Sequence, residues 1–330
     1  VTSHEELIRQ IATEVDILSD HRFRHGALGS LRPPRDVEAT PDRPLLAHLC
    51  RMIYLVYHVG DLATARLYFS GGRAVGTVQG FEDYDYTEKL HAANPGSGYW
   101  KAGWTVAEVR EADYVVVRDD GLTLVAGPSE ISAVEPRVGD GVLVRFPPEA
   151  RYRAVGWYSV FGDAGSPDGE ERVRLYFALN SPDAAPRLLR AVASELNALQ
   201  IRFGLKTVNH PDGLARRDSF VVYFDRAQWH RHQDFFHRIQ ADNSMLLRDD
   251  YPRFSLRLAH GFSVAFESYP SKHVMSFGEH RSLLVGEGLL DAWERGRHAI
   301  DDKIAAIGER FASAGLDVRR PYLSAVGALT

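Results

Sequence analysis

The chain has 330 residues, of which 45% are hydrophobic and 25% charged, and a formal net charge of −5; this is enough for one large domain or two ordinary ones around a sizeable core. Its apolar runs, such as Met52–Val56, fall far short of the ~20 residues a membrane-crossing helix needs, and a mildly acidic chain offers no field for nonspecific nucleic-acid binding. With the single cysteine Cys50, no Cys/His cluster at zinc spacing and no secretory signal pattern in Val1–Glu6, the expectation is a cytoplasmic protein without disulfide, metal or other cofactor.

Leu7, Ile8, Ile11, Val15 and Ile17 fall on one stripe and predict an N-terminal helix. Arg32–Pro44 is proline-punctuated and reads as a connector, after which Leu45–His58 resumes a helical pattern. The run Phe81–Tyr86 lies between loop signals at Gly71-Gly72 and Asn94–Gly98 and reads as an exposed acidic loop. From Tyr114 to Phe161 the texture turns β-like: Tyr114–Val117, Leu122–Val125, Gly141–Phe146 and Ala154–Phe161 predict an antiparallel meander. Gly162–Glu171 reads as an exposed loop and internal boundary, leading into a strand at Arg172–Ala178.

Ser181-Pro182-Asp183 starts a helix whose Ala185, Leu188, Leu189, Val192, Leu196 and Leu199 share a face. Strands at Gly204–Val208 and Ser219–Phe224, a helix from Ala227 to Gln240 and strands at Phe254–Leu258 and Phe262–Phe266 follow. A long C-terminal helix carries Trp293, Ile300, Ile304, Ile307 and Phe311. The fold class is α+β, with antiparallel or mixed sheets flanked by helices and a helical N-terminal portion. Residues 1–110 form a helical, loop-rich region packed as one unit with an α+β core at 111–330.

No P-loop, GxSxG elbow, HExxH, EF-hand loop or GxGxxG is present, which removes the usual sequence supports for nucleotide binding, serine hydrolysis and zinc proteolysis. What remains is a set of cationic and tautomeric side chains in the C-terminal half. Lys206 lies on a strand, facing opposite to Leu205; it is either a solvated edge lysine or a functional amine. Its candidate neighbours are Arg174, Arg216, Tyr223, Lys272 and Arg281. Guanidinium groups grip phosphate with paired donors, and several cations in one cleft would favour a neutral lysine able to act as a base. The plainer reading makes Arg216 and Asp218 a structural ion pair and Tyr223 a core tyrosine.

The order Arg174–Phe177, Leu205–Asn209, Arg216–Tyr223, Pro252–Ser255 and Ser276–Arg281, with Asn94–Gly98 and Gly103-Trp104 upstream, resembles the HopA-type effector-like domain over about residues 60 to 295. That domain occurs in type III secretion effectors and in biosynthetic clusters for class V lanthipeptides and thioamitides. For the biosynthetic members the resemblance implies a lyase. A separate kinase-like protein phosphorylates serine or threonine of a precursor peptide, and the lyase eliminates the phosphate to leave dehydroalanine or dehydrobutyrine. Lys206 would take the α-proton, with Arg174, Arg216, Lys272 and Arg281 as phosphate clamps.

The phosphothreonine lyases of pathogen effectors, related in chemistry, place a histidine acid two residues after the base lysine, where this chain has Val208. His210 and Tyr223 stand as alternative proton donors, with His273 and His280 behind them. A regular strand would put Lys206, Val208 and His210 on one face, and Pro211 offers a bend that could bring His210 to the cleft. A non-catalytic HopA-like protein that holds a peptide or partner enzyme is the second reading of the same residues.

Overall fold

A computed structural model describes residues 3–32, 43–70, 82–268 and 275–324. Most of the expected connector, together with Gly71-Gly72, Phe81, Lys272 and His273, lies outside the described residues.

Helix α1 (His4–Glu14) starts on a Ser3/Glu6 capping box and buries Leu7, Ile8, Ile11 and Ala12. The N-terminal stripe does not continue as helix: Val15 and Ile17 belong to strand β1 (Val15–Ser19), which pairs with β2 (Arg22–His25), and β2 with β3 (Gly29–Leu31). The β-branched pair favours the pleated conformation once α1 has ended. Helix α2 (Pro44–Ile53) runs into a π-turn at Tyr54–His58 and is followed by α3 (Leu62–Phe69). The expected acidic loop is instead the start of α4 (Tyr84–Ala93), because Asp83 accepts the Tyr86 N–H as an N-cap while Tyr86 and Leu90 turn into the core.

The expected meander divides between two sheets. Strands β4 (Tyr99–Val109), β5 (Val115–Asp119), β6 (Leu122–Ala126) and β7 (Gly141–Phe146) form a four-stranded sheet in the order β6-β5-β4-β7, closed over Trp104, Val106, Val115, Val117 and Val144. Its strand β4 precedes residue 110 and the other three follow it. Strands β8 (Glu149–Ala154) and β9 (Trp157–Phe161) join the main sheet, which is completed by β10 (Glu171–Phe177), β11 (Phe203–Val208), β12 (Phe220–Asp225), β13 (Leu256–Ala259) and β14 (Phe262–Ser268). Its order is β13-β14-β10-β12-β11-β9-β8, with antiparallel neighbours throughout. The sheet therefore continues across the Gly162–Glu171 segment that reads as a boundary.

Each face of this sheet carries its own core. On one side Val173, Leu175, Phe203, Leu205, Val222 and Phe224 pack against α5 (Ala184–Ala198) and α6 (Arg226–Asp242). Leu199, expected on the apolar stripe of α5, falls at its C-cap and is exposed. On the other side Tyr176, Val221 and Ala265 meet α1, α2, α7 (Phe277–Glu294) and α8 (Ile300–Ser313). The expected single C-terminal helix is thus two, broken after Arg295 at Gly296, whose φ of +68° suits glycine. No helix of the described residues is long and apolar enough to cross a membrane.

Candidate functional site

The period-2 alternation of the central strands assembles the site. Arg174 and Tyr176 of β10, Val221 and Tyr223 of β12 and Lys206 of β11 project to the α2/α7 side, with Arg174 opposite Tyr223 and Lys206 opposite Val221 in register. Above them the π-turn supplies Tyr54 and His58, the segment before β12 supplies Asp218, and α7 supplies Ser276 and Gly278 from its first turn. These ten residues line one small pocket.

Lys206 Nζ stands 4.1 Å from the centre of the Trp157 ring and 5.9 Å from that of Tyr223, while the Arg174 guanidinium carbon lies 5.0 Å from the Tyr223 ring. These are cation–π separations. Arg174 is nine-tenths buried and ion-paired through Nε with the equally buried Glu267 of β14. Arg216 binds Asp218 bidentately, Nε to Oδ1 and Nη2 to Oδ2 at 2.9 Å each, and Nη2 also donates to the Tyr54 hydroxyl at 3.1 Å. Tyr54 in turn donates to Asp218 Oδ2 at 3.3 Å.

The electrostatics follow from burial and these contacts. Burial alone would raise the Asp218 carboxyl, but the charge and hydrogen bonds of Arg216, aided by Lys206, hold it below the ordinary carboxylate value. Arg216 is pushed up for the reciprocal reason, with Asp218 outweighing burial. Burial raises the Tyr54 and Tyr176 hydroxyls, so both keep their protons. His58 is enclosed by Tyr54, Tyr176, Phe254 and Phe277, and burial lowers it to about 3, leaving the imidazole neutral.

Of the residues singled out from sequence, Lys206, Tyr223 and Arg174 converge, and Arg216 joins the pocket wall through Tyr54 and Asp218. The Arg216–Asp218 ion pair of the plainer reading is also present. His210 does not converge. The alternation that would carry it there breaks at Val208, which packs with Leu205 on the opposite face, and His210 caps a short 3-10 turn, half-exposed, its Nδ1 accepting the Asp212 N–H at 3.1 Å. Arg281 is buried, but its guanidinium donates to the carbonyls of Pro321 at 2.7 Å and Leu323 at 2.9 Å and lies over Phe277, 4.8 Å from the ring centre. Burial lowers it to about 10. Lys272 lies outside the described residues.

Sequence reasoning did not single out Tyr54, His58, Trp157 or Glu267. Tyr54 and His58 carried one usable signal, polar-tipped rings four residues apart and hence on one helical face; Glu267 carried only its place in an apolar strand. Among the described residues no group of three or more His, Cys, Asp or Glu side chains is arranged to hold a metal ion.

Residues 151–323 match the family described as the HopA1 effector protein family. Among solved structures, an effector protein from Pseudomonas syringae pv. tomato strain DC3000 aligns at 18% identity with a TM-score of 0.42, over 52% of this chain and 63% of that one. A second, from Pseudomonas syringae pv. syringae strain 61, aligns at 13% identity with a TM-score of 0.46, over 87% of this chain and 100% of that one. No curated protein matches the chain.

Proposed function

This chain belongs to the HopA1 effector protein family, and on that premise we propose that it is a lyase acting on phosphoserine or phosphothreonine of a ribosomal precursor peptide. It removes phosphate by β-elimination to leave dehydroalanine or dehydrobutyrine, during lanthipeptide or thioamitide maturation, downstream of a separate kinase-like protein. The observation that carries the reading is the convergence of Lys206, Arg174 and Tyr223 with the first turn of α7 on one pocket.

The chemistry requires removal of a weakly acidic α-proton and departure of phosphate from the β-carbon. The Lys206 amine takes the proton, the C–H electrons form the Cα–Cβ double bond, and the Cβ–O bond breaks with its electron pair leaving on phosphate. Tyr223, beside both Lys206 and Arg174, supplies the proton the departing oxygen needs. Arg174 and Arg216 set the positive potential that favours the charge developing on the leaving group. No water is added, so the product is an alkene and not an alcohol.

A second reading, recognition of a peptide or partner without turnover, is favoured by one feature: Arg174 and Arg216 are already held by Glu267 and Asp218. Incubating the protein with a phosphothreonine or phosphoserine peptide and weighing the product separates the readings. Loss of about 98 Da is elimination and loss of about 80 Da is hydrolysis, since only the first expels phosphoric acid without adding water. Binding with no mass change supports recognition.

A further inference from the structure

The first turn of α7 and the His58 ring meet in this pocket in an arrangement that the elimination chemistry above leaves unused. Ser276 caps the helix: its hydroxyl accepts the Glu279 N–H at 3.4 Å, and the Glu279 carboxylate accepts the Ser276 N–H at 2.9 Å. That box leaves the amides of Phe277 and Gly278, for which a helix start offers no intrahelical acceptor. They open an 18-residue helix, so the positive end of its dipole lies where Ser276 and Gly278 line the pocket.

The His58 ring gives an independent observation. The residue is 2% exposed, and its Nδ1 accepts the Phe254 N–H at 3.4 Å, which assigns the ring proton to Nε2. Nε2 is directed at Gly278, where an added Cβ would lie 2.4 Å from it and 2.3 Å from Cδ2. Among the described residues no acceptor takes this N–H. The ring edge that carries this hydrogen thus lies against the first turn of α7, and His58 and Gly278 line the same pocket.

We propose that His58 Nε2–H and the backbone amides of Phe277 and Gly278 form a binding site for a tetrahedral oxyanion, phosphate, with His58 as a neutral hydrogen-bond donor. The assignment deepens the elimination reading and rests on it for the natural ligand, a phosphorylated side chain; the cradle itself stands on the geometry. Gly278 is glycine because any side chain there would displace the imidazole. Two carboxylates bear on the site: Asp218, whose oxygens are taken by Arg216 and Tyr54, and Glu279 of the same helix turn, whose carboxylate accepts the Ser276 N–H. Burial keeps the imidazole uncharged, and Lys206 and the Glu267-paired Arg174 line the same pocket.

The test titrates inorganic phosphate into the full chain, reading affinity by calorimetry and position by amide and imidazole NMR shifts. Expected are shifts centred on Phe277, Gly278 and the His58 ring. His58→Phe should weaken affinity about tenfold or more, the loss of a hydrogen bond to a charged group, and His58→Gln, which can present an N–H in the same place, should recover part of it. Gly278→Ala should abolish binding. If that variant unfolds, His58→Ala combined with Gly278→Ala makes room for the methyl and should fold without binding phosphate. Unchanged affinity in His58→Phe, shifts confined to the Lys206 side of the pocket, or no binding at millimolar phosphate would each overturn the site. Phosphopeptide turnover is measured separately by mass: its loss in the wild type would sink the elimination reading and leave the phosphate site intact, whereas turnover without this binding pattern would do the reverse.

Discussion

Lys206 Nζ lies 4.1 Å from the centre of the Trp157 ring, which sits on the adjacent strand two residues along from Ser159, the backbone partner of Lys206. Among the described residues no carboxylate stands within ion-pair distance of this ammonium, unlike those around Arg174 and Arg216. An aromatic face, and not an ion pair, holds this amine in place. Lys206→Ala should therefore abolish elimination while phosphopeptide binding stays measurable, and Lys206→Arg should fail as well, because a guanidinium does not give up its proton. Trp157→Leu should lower kcat more mildly, by a factor matching the loss of about 0.5–2 kcal/mol of cation–π contact. Full turnover by Lys206→Ala in the mass assay would remove the base assignment.

His58 should make the fold sensitive to acid. Its ordinary value is 6.5 and burial lowers it to about 3 in the folded chain, so the folded state favours the neutral ring. The stability this preserves is fully present above about pH 6.5 and is lost as pH falls toward 3, reaching about 4–5 kcal/mol across the window. Asp218, also lowered, acts in the same direction but only below the ordinary carboxylate range. The difference in Tm between wild type and His58→Gln, followed from pH 7 to pH 4, should change steadily through this interval. A flat difference would show that the ring protonates freely.

Alternation made one side of the site legible in the sequence. Arg174, Val221 and Tyr223 obey the strand period, and so does Lys206, so reading them onto one face was enough to bring them together. His210 was misplaced by extending the same period past Val208, where β11 ends and a 3-10 turn begins. Tyr54, His58 and Ser276 reach the pocket only because two helices from distant parts of the chain dock on the sheet, and such tertiary placement leaves no local periodicity to read. The missed strand β4 and the division of the meander have a related cause: short β runs report their own conformation but not which sheet receives them.

Arg281, a clamp candidate by its sequence, is engaged by backbone carbonyls in the fold. Its guanidinium donates to the Pro321 and Leu323 carbonyls and so ties the segment after α8 to the first turns of α7. Arg281→Ala should orphan these carbonyls and cost about 1–3 kcal/mol, with faster proteolytic clipping near Pro321 and phosphopeptide affinity falling only as far as the folded population falls. Wild-type stability combined with a selective loss of phosphopeptide affinity would instead restore Arg281 as a phosphate clamp.

The contact between α7 and α8 sets how firmly the pocket end of α7 is held. A Cβ at Gly288 would lie 2.4 Å from the Ile307 Cα and 2.7 Å from its N, backbone atoms that cannot turn aside as a side chain would. Gly288→Ala gains about 1 kcal/mol of helix propensity, but parting the two helices costs the packing around Ile307 and Phe311, about 1–3 kcal/mol by the measure of other overpacked cores. At Gly308 on α8 an added Cβ meets nothing within 4 Å, so Gly308→Ala collects the propensity gain without the clash. Urea unfolding should therefore place the midpoint of Gly308→Ala at or above wild type and that of Gly288→Ala below it. Equal midpoints for the two variants would mean that α7 and α8 do not approach so closely.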